Sequence, residues 1–92
     1  MDLTAPWPDL RRFLGYARQH PVEVWLFGSA LRREHPDDID VLVVYLDRAD
    51  VVALRATDWW QDCEPPLDII AMTRAEERHF EFITGTRAIR LL

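Results

Sequence analysis

The run IDVLVVY, from Ile39 to Tyr45, constrains this chain more than any other stretch. A strand sends successive side chains to opposite faces, so apolar residues at nearly every position mean that both faces are covered. The run therefore predicts the central strand of a layered domain. The rest of the chain supplies matching pieces. Val22 to Phe27 is short, apolar and β-rich and reads as a strand that Gly28-Ser29 breaks; Leu67 to Met72 reads as another. Leu10, Phe13, Leu14 and Ala17 recur at helical spacing, which predicts a helix over 6–20, opened by Pro6 or Pro8 and closed by Pro21. A helical turn is expected over Ala30 to Arg33, and His35-Pro36-Asp37 reads as a loop. Asp47 to Gln61 reads as a helix with a wide apolar side: Val51, Val52, Leu54, Ala56, Trp59 and Trp60. Glu64-Pro65-Pro66 is a connector. Thr73, with Glu76 three residues later, is the signature of a capping box for a helix running to about Ile83, with Gly85 as its stop. The tail, Ala88 to Leu92, is expected to add an edge strand or to dock on the core. Alternating helices and strands predict a compact α/β domain that takes in all of residues 1–92.

Composition narrows the chemistry. With 49% hydrophobic residues there is material for one core, and no apolar run reaches the length of a membrane span. The N-terminus, MDLTAPWPDLRR, has no basic start followed by an apolar stretch, so no signal peptide is expected. Cys63 is the only cysteine; it excludes an internal disulfide and fits a reducing cytoplasm. A net charge of −5 and a pI of about 5.0 argue against general binding of long nucleic acids. All 11 basic residues are arginine. Without lysine there is no Walker-type phosphate lysine and no Schiff base, and any cationic phosphate contact falls to arginine.

The informative stretch is WLFGSALRREHPDDIDVLVVY, residues 25–45, together with PLDII, residues 66–70. Asp38 and Asp40 are two apart in a strand and share a face, with Ile39 turned the other way. Two carboxylates on one face repel unless a cation sits between them. Asp68 opens another buried strand, and if the two strands are neighbours all three converge. Oxygen-only donors favour a hard cation such as Mg²⁺, and three carboxylates can hold two metal ions roughly 3.5–4 Å apart, the arrangement for in-line phosphoryl chemistry. Gly28 allows close backbone approach to a phosphate, Ser29 adds a hydroxyl, the helical turn after them offers free N–H groups, and Arg32 lies one turn on.

Apolar-Gly28-Ser29, a short spacer, Asp38-x-Asp40 and then Asp68 on a later strand resemble the nucleotidyltransferases of the DNA polymerase beta superfamily, and the small size resembles its minimal branch. The likeness runs from the first strand to the last helix. It implies a small mixed sheet flanked by helices, with Asp38 and Asp40 binding two Mg²⁺ ions. It further implies that Asp68 binds the catalytic ion and helps activate a hydroxyl, while Gly28, Ser29 and Arg32 hold the triphosphate of ATP. Two positions depart from the pattern: Arg33 stands where the family usually has glycine, and the spacer from Ser29 to Asp38 is short. Minimal members often act as antitoxins beside a helical HEPN-type toxin, and some transfer AMP to a tyrosine of that toxin. The resemblance thus implies an adenylyltransferase working in a hetero-oligomer. The rival readings are a non-catalytic antitoxin or assembly subunit, and an enzyme acting on a small molecule or a tRNA end.

Other residues carry blander readings. Asp37 points away from the pair and reads as a loop acid. His20, His35 and His79 have no metal-ligand spacing, and Cys63 reads as packing. Arg74 and Arg78 share a helical face and are expected to be solvated or paired with Glu77 or Glu81. Trp7, Trp25, Trp59 and Trp60 are many for a small domain; Trp25 is assigned to a core strand, and the others predict an exposed aromatic patch for a partner.

Overall fold

Four strands form one sheet, and the run Ile39–Tyr45 lies inside it with a neighbour on each side. The computed structural model describes residues 2–57 and 62–92. Its elements are α1 (Pro8–Ala17), β1 (Glu23–Phe27), β2 (Ile39–Tyr45), α2 (Arg48–Arg55), β3 (Leu67–Thr73), α3 (Arg74–Phe80), α4 (Phe82–Thr86) and β4 (Ile89–Arg90), with a 3₁₀ turn, Gly28–Leu31, after β1. The sheet order is β3-β2-β1-β4. β2 runs parallel to β3 and antiparallel to β1, and β1 pairs antiparallel with β4, so the sheet is mixed. A parallel pair needs a crossover connection, and α2 lies in the one between β2 and β3.

Local chemistry starts these helices. Pro8 and Asp9 occupy the first turn of α1, where a missing N–H costs nothing and a negative charge is favoured. The Asp47 carboxylate caps α2 by accepting from the Ala49 amide at 2.9 Å. The capping box of α3 forms as expected: Glu76 N–H donates to Thr73 Oγ1 at 3.1 Å, and Thr73 N–H donates to the Glu76 carboxylate at 3.0 Å.

One face of the sheet carries Val24, Leu26, Ile39, Val41, Val43 and Leu67, packed with Leu10, Phe13, Leu14 and Ala17 of α1 and Val51 and Leu54 of α2. Leu42 and Val44, on the other face of β2, are also buried, so the central strand is covered on both sides. On that second face, Glu23 is ion-paired with Arg74 of α3, and Phe27 meets Phe82 of α4 edge to face at 4.9 Å. No helix among the described residues is long and apolar enough to cross a membrane.

Several boundaries differ from the sequence reading, each for a physical reason. α1 stops at Ala17 because the bonds that follow tighten to i→i−3, Gln19 N–H donating to the Tyr16 carbonyl and His20 N–H to the Ala17 carbonyl, before Pro21 is reached. The turn after β1 begins at Gly28 rather than Ala30. The apolar side of α2 is narrower than expected: Val51 and Leu54 are buried, while Val52 is 57% exposed and Ala56 faces solvent. Trp59, Trp60 and Gln61 lie outside the described residues. The helix after β3 is two helices. Glu81 adopts a left-handed φ of 50° between them, and the buried Glu77 carboxylate accepts from the Ile83 amide at 3.1 Å, which satisfies a free donor of α4. Gly85 is therefore inside α4 and is not its stop; the left-handed Arg87, with φ 55°, ends it. The tail forms the expected edge strand, and Leu91 and Leu92 N–H groups both donate to the Val24 carbonyl.

The core assignment separates two substitutions. Phe13→Ala removes a ring that is 1% exposed, and chemical denaturation should record a loss of about 3–5 kcal/mol. Val52→Ala, on the solvent side of α2, should change stability by no more than about 0.5 kcal/mol.

Candidate functional site

Ladder register brings the acidic residues together. Asp40 is the second residue of β2, and its partner across the parallel ladder is Asp68 of β3. Asp38, two residues before Asp40, shares its face by strand alternation. Ile39 between them turns into the core and is 1% exposed. One carboxylate oxygen from each of Asp38, Asp40 and Asp68 lies within 4.8 Å of the others. Asp38 and Asp40 are half-buried and Asp68 is exposed.

On the other flank of β2, Asp40 pairs with Phe27, the last residue of β1. Gly28 comes next and has a φ of +78°. A Cβ added to it would sit 2.1 Å from Asp40 Oδ2 and 3.0 Å from Asp40 Cγ. Glycine is thus required twice here, by the left-handed backbone and by the approach of the carboxylate. Ser29 follows in the turn, and its carbonyl accepts from Arg32 N–H at 2.9 Å and Arg33 N–H at 2.8 Å. Arg32 is exposed; it lines a neighbouring cavity of about 510 Å³ between the 3₁₀ turn, α4 and β4. Asp38, Asp40, Asp68 and Gly28 therefore form one tight group, Ser29 adjoins it, and Arg32 stands one turn beyond. The same cavity is lined by Arg87, which no sequence motif marks.

Asp40 is held above the ordinary carboxylate range. Burial is the largest cause; the negative charges of Asp38 and Asp68 add to it, as does a hydrogen bond shared with Asp68. The folded chain therefore holds this proton more tightly than the unfolded chain does. The associated stability is present below the ordinary value of 3.8 and is lost as pH rises from there through the higher folded value. At neutral pH the ionised cluster opposes folding unless a cation balances it. The donor set is oxygen only, and it fits a hard divalent cation.

The remaining residues keep ordinary roles. Asp37, His35 and His79 are exposed, and His20 Nδ1 lies 2.8 Å from Asp50 Oδ1, a tie between the segments around α1 and α2. Cys63 is half-buried; burial first and then a hydrogen bond with Asp9 push its thiol up, against a nucleophilic role. Arg74 pairs with Glu23 and lies 3.8 Å from Glu77, whereas Arg78 is exposed. Trp7 and Trp25 are both half-buried. Trp7 packs against the core just before α1, and Trp25 Nε1 donates to Glu23 at 3.0 Å on the second face of β1. Trp25 lies in a strand as expected, and Trp7, being half-buried, does not supply the exposed patch expected of it. The exposed large apolar side chains among the described residues are Leu46, Val52, Phe80 and Ile89. No family profile, curated protein or solved structure matches the chain.

Two substitutions test the electrostatics and the close approach. Asp40→Asn is isosteric and removes one of the repelling charges; at pH 7 it should raise Tm by about 4 °C in chelator, and the gain should vanish at acid pH. Added Mg²⁺ should raise the Tm of the wild type but not of this variant. A lower Tm for Asp40→Asn at pH 7 would contradict the repulsion argument. Gly28→Ala should cost about 1–2 kcal/mol from its left-handed backbone alone. It should also displace the Asp40 carboxylate, and thermal melts should then lose the Mg²⁺ response.

Proposed function

We propose that the chain is a Mg²⁺-dependent nucleotidyltransferase that moves AMP from ATP to a hydroxyl acceptor. The observation that carries this reading is the convergence of three carboxylates from two adjacent strands beside a positive-φ glycine. Asp38, Asp40 and Asp68 would hold two Mg²⁺ ions, and Gly28, Ser29 and Arg32 would receive the triphosphate. Bound there, Mg²⁺ would offset the carboxylate repulsion and neutralise charge on the phosphates. The chain's own residues supply position and field. Half-buried Asp38 and Asp40 form the fixed side of the site, and exposed Asp68 faces the side from which an acceptor approaches. The acceptor oxygen attacks the α-phosphorus in line with the leaving group. An O–P bond forms as the bond to the bridging oxygen of the β-phosphate breaks, pyrophosphate departs with that electron pair, and the hydroxyl proton leaves to solvent beside Asp68.

The resemblance to minimal nucleotidyltransferases supports a protein acceptor. We take it to be a tyrosine of a HEPN-type toxin, held in a hetero-oligomer with this chain. Incubation of the co-expressed complex with ATP and Mg²⁺ should add AMP to the partner, read by intact-mass and peptide mass spectrometry. Asp68→Asn should reduce the transfer by about a hundredfold or more, on the order of 3 kcal/mol in the barrier. A complex that binds ATP equally well in chelator and in Mg²⁺, and transfers nothing, overturns the reading.

A further inference from the structure

The two edges of the sheet are built differently. β4 is two residues long, and one of them, Arg90, is charged. Short length and charge are usual protections of an exposed edge. β3, the opposite edge, runs seven residues in unbroken register with β2, without proline, basic residue or bulge, and its single charge, Asp68, lies near one end. Its middle, Ile69-Ile70-Ala71-Met72, is apolar at four consecutive positions. Such a run belongs to a strand covered on both faces. Yet none of these four is fully buried, whereas Val41, Leu42, Val43 and Val44 of neighbouring β2 all are. β3 has the sequence of an inner strand in the position of an outer one.

The backbone of β3 is open on its outer side. Ile39 N–H donates to the Pro66 carbonyl at 2.9 Å, which fixes the alternation. Successive residues of a strand direct their N–H and C=O groups to opposite sides. Asp68, Ile70 and Met72 therefore bond to β2, while Leu67, Ile69 and Ala71 direct their groups outward. Among the described residues no strand pairs with that outer side. The outward row is self-complementary. A second β3 running antiparallel and centred on Ile70 sets Ile69 opposite the partner's Ala71 as a hydrogen-bonded pair, and Ile70 opposite its own copy. Apolar side chains then meet apolar ones at the middle of both faces. The two Asp68 carboxylates fall four residues apart along the strands, on the order of 14 Å, beyond the Debye length of about 8 Å at physiological salt. A two-fold contact of this kind uses one patch on both copies and closes at two.

We propose that β3 is a dimerisation edge: two copies of the chain join β3 to β3, antiparallel about a two-fold axis at Ile70, and make one continuous sheet. The proposal rests on strand pattern and register and is independent of the transferase reading. It has a consequence for the carboxylates. Asp68 of each copy stands opposite the partner's Met72, on the face that carries the candidate site, so the second copy walls that site on its β3 side.

Sedimentation equilibrium of the chain expressed alone should give twice its mass of 10.8 kDa. Ala71→Pro removes an outward N–H and no bond to β2. It should leave the fold intact and raise the dimer Kd about thirtyfold or more, since two hydrogen bonds are lost per dimer. Ile70→Cys in a Cys63→Ser background tests the register. The axis sets the two new cysteines opposite each other in a non-hydrogen-bonded pair, with Cα atoms about 4.5 Å apart and within disulfide reach, so mild oxidation should cross-link the dimer. Ala71→Cys in the same background sets its sulfurs out of reach and should stay uncross-linked. If circular dichroism shows that Ala71→Pro does not fold, the cross-link at position 70 decides. A monomeric wild type, a dimer that a folded Ala71→Pro leaves unchanged, or cross-linking equal at 70 and 71 each overturns the proposal. So does a chain that is monomeric alone and shows hydrogen-exchange protection at the Ile69 and Ala71 amides only beside a different co-expressed protein, because the edge then belongs to that protein.

Discussion

Three like charges within 4.8 Å at the end of a buried strand are the constraint around which the rest of the structure is organised. Carboxylates so placed repel, and half-burial strengthens the repulsion because less water screens it. The cluster persists because the ladder leaves it no alternative. Parallel pairing of β2 with β3 puts Asp40 beside Asp68, and the seven aligned positions of that ladder are anchored by buried Ile39, Val41, Val43 and Leu67. A slip of one residue would turn every apolar side chain of one strand to the wrong face. The hydrophobic effect thus sets the geometry, and the electrostatics accept it.

The same logic explains Gly28. A side chain there would occupy the space of the Asp40 carboxylate, so the acid and the glycine are one packing decision. The second face of the sheet is held more lightly than the first, through the Arg74–Glu23 ion pair, the Phe27–Phe82 contact and the buried Glu77 that joins α3 to α4. It is also the face that carries the candidate site. Fewer large apolar side chains on that side leave room for a polar ligand.

Much of this was legible in the residues. β2 was found to its ends because an uninterrupted apolar run has few other uses, and the capping box marked α3 because its two hydrogen bonds need only local residues. The meeting of Asp38 and Asp40 follows from strand alternation, but Asp68 joins them only because β2 and β3 are neighbours in parallel register, a tertiary fact. The break at Glu81 was hidden for the same reason. Glutamate is a good helix former, and its left-handed turn depends on a bond between Glu77 and Ile83. The apolar side of α2 is narrower than its spacing predicts because Val52 and Ala56 fit an apolar stripe, yet both are exposed. Arg87 carried no pattern at all; its neighbourhood appears only when the tail pairs with β1.

The parallel ladder has an evolutionary corollary. Asp40 and Asp68 are matched by strand pairing, and the residues 46–66 that join their strands do not enter that match. Loop-closure entropy grows slowly with length, so an insertion in this connection outside the core-packed α2 changes the chain's path at little cost and leaves the carboxylates in register. The connection is thus the natural place for descendants of this domain to gain new surface, while the strand ends that carry the acids stay the same.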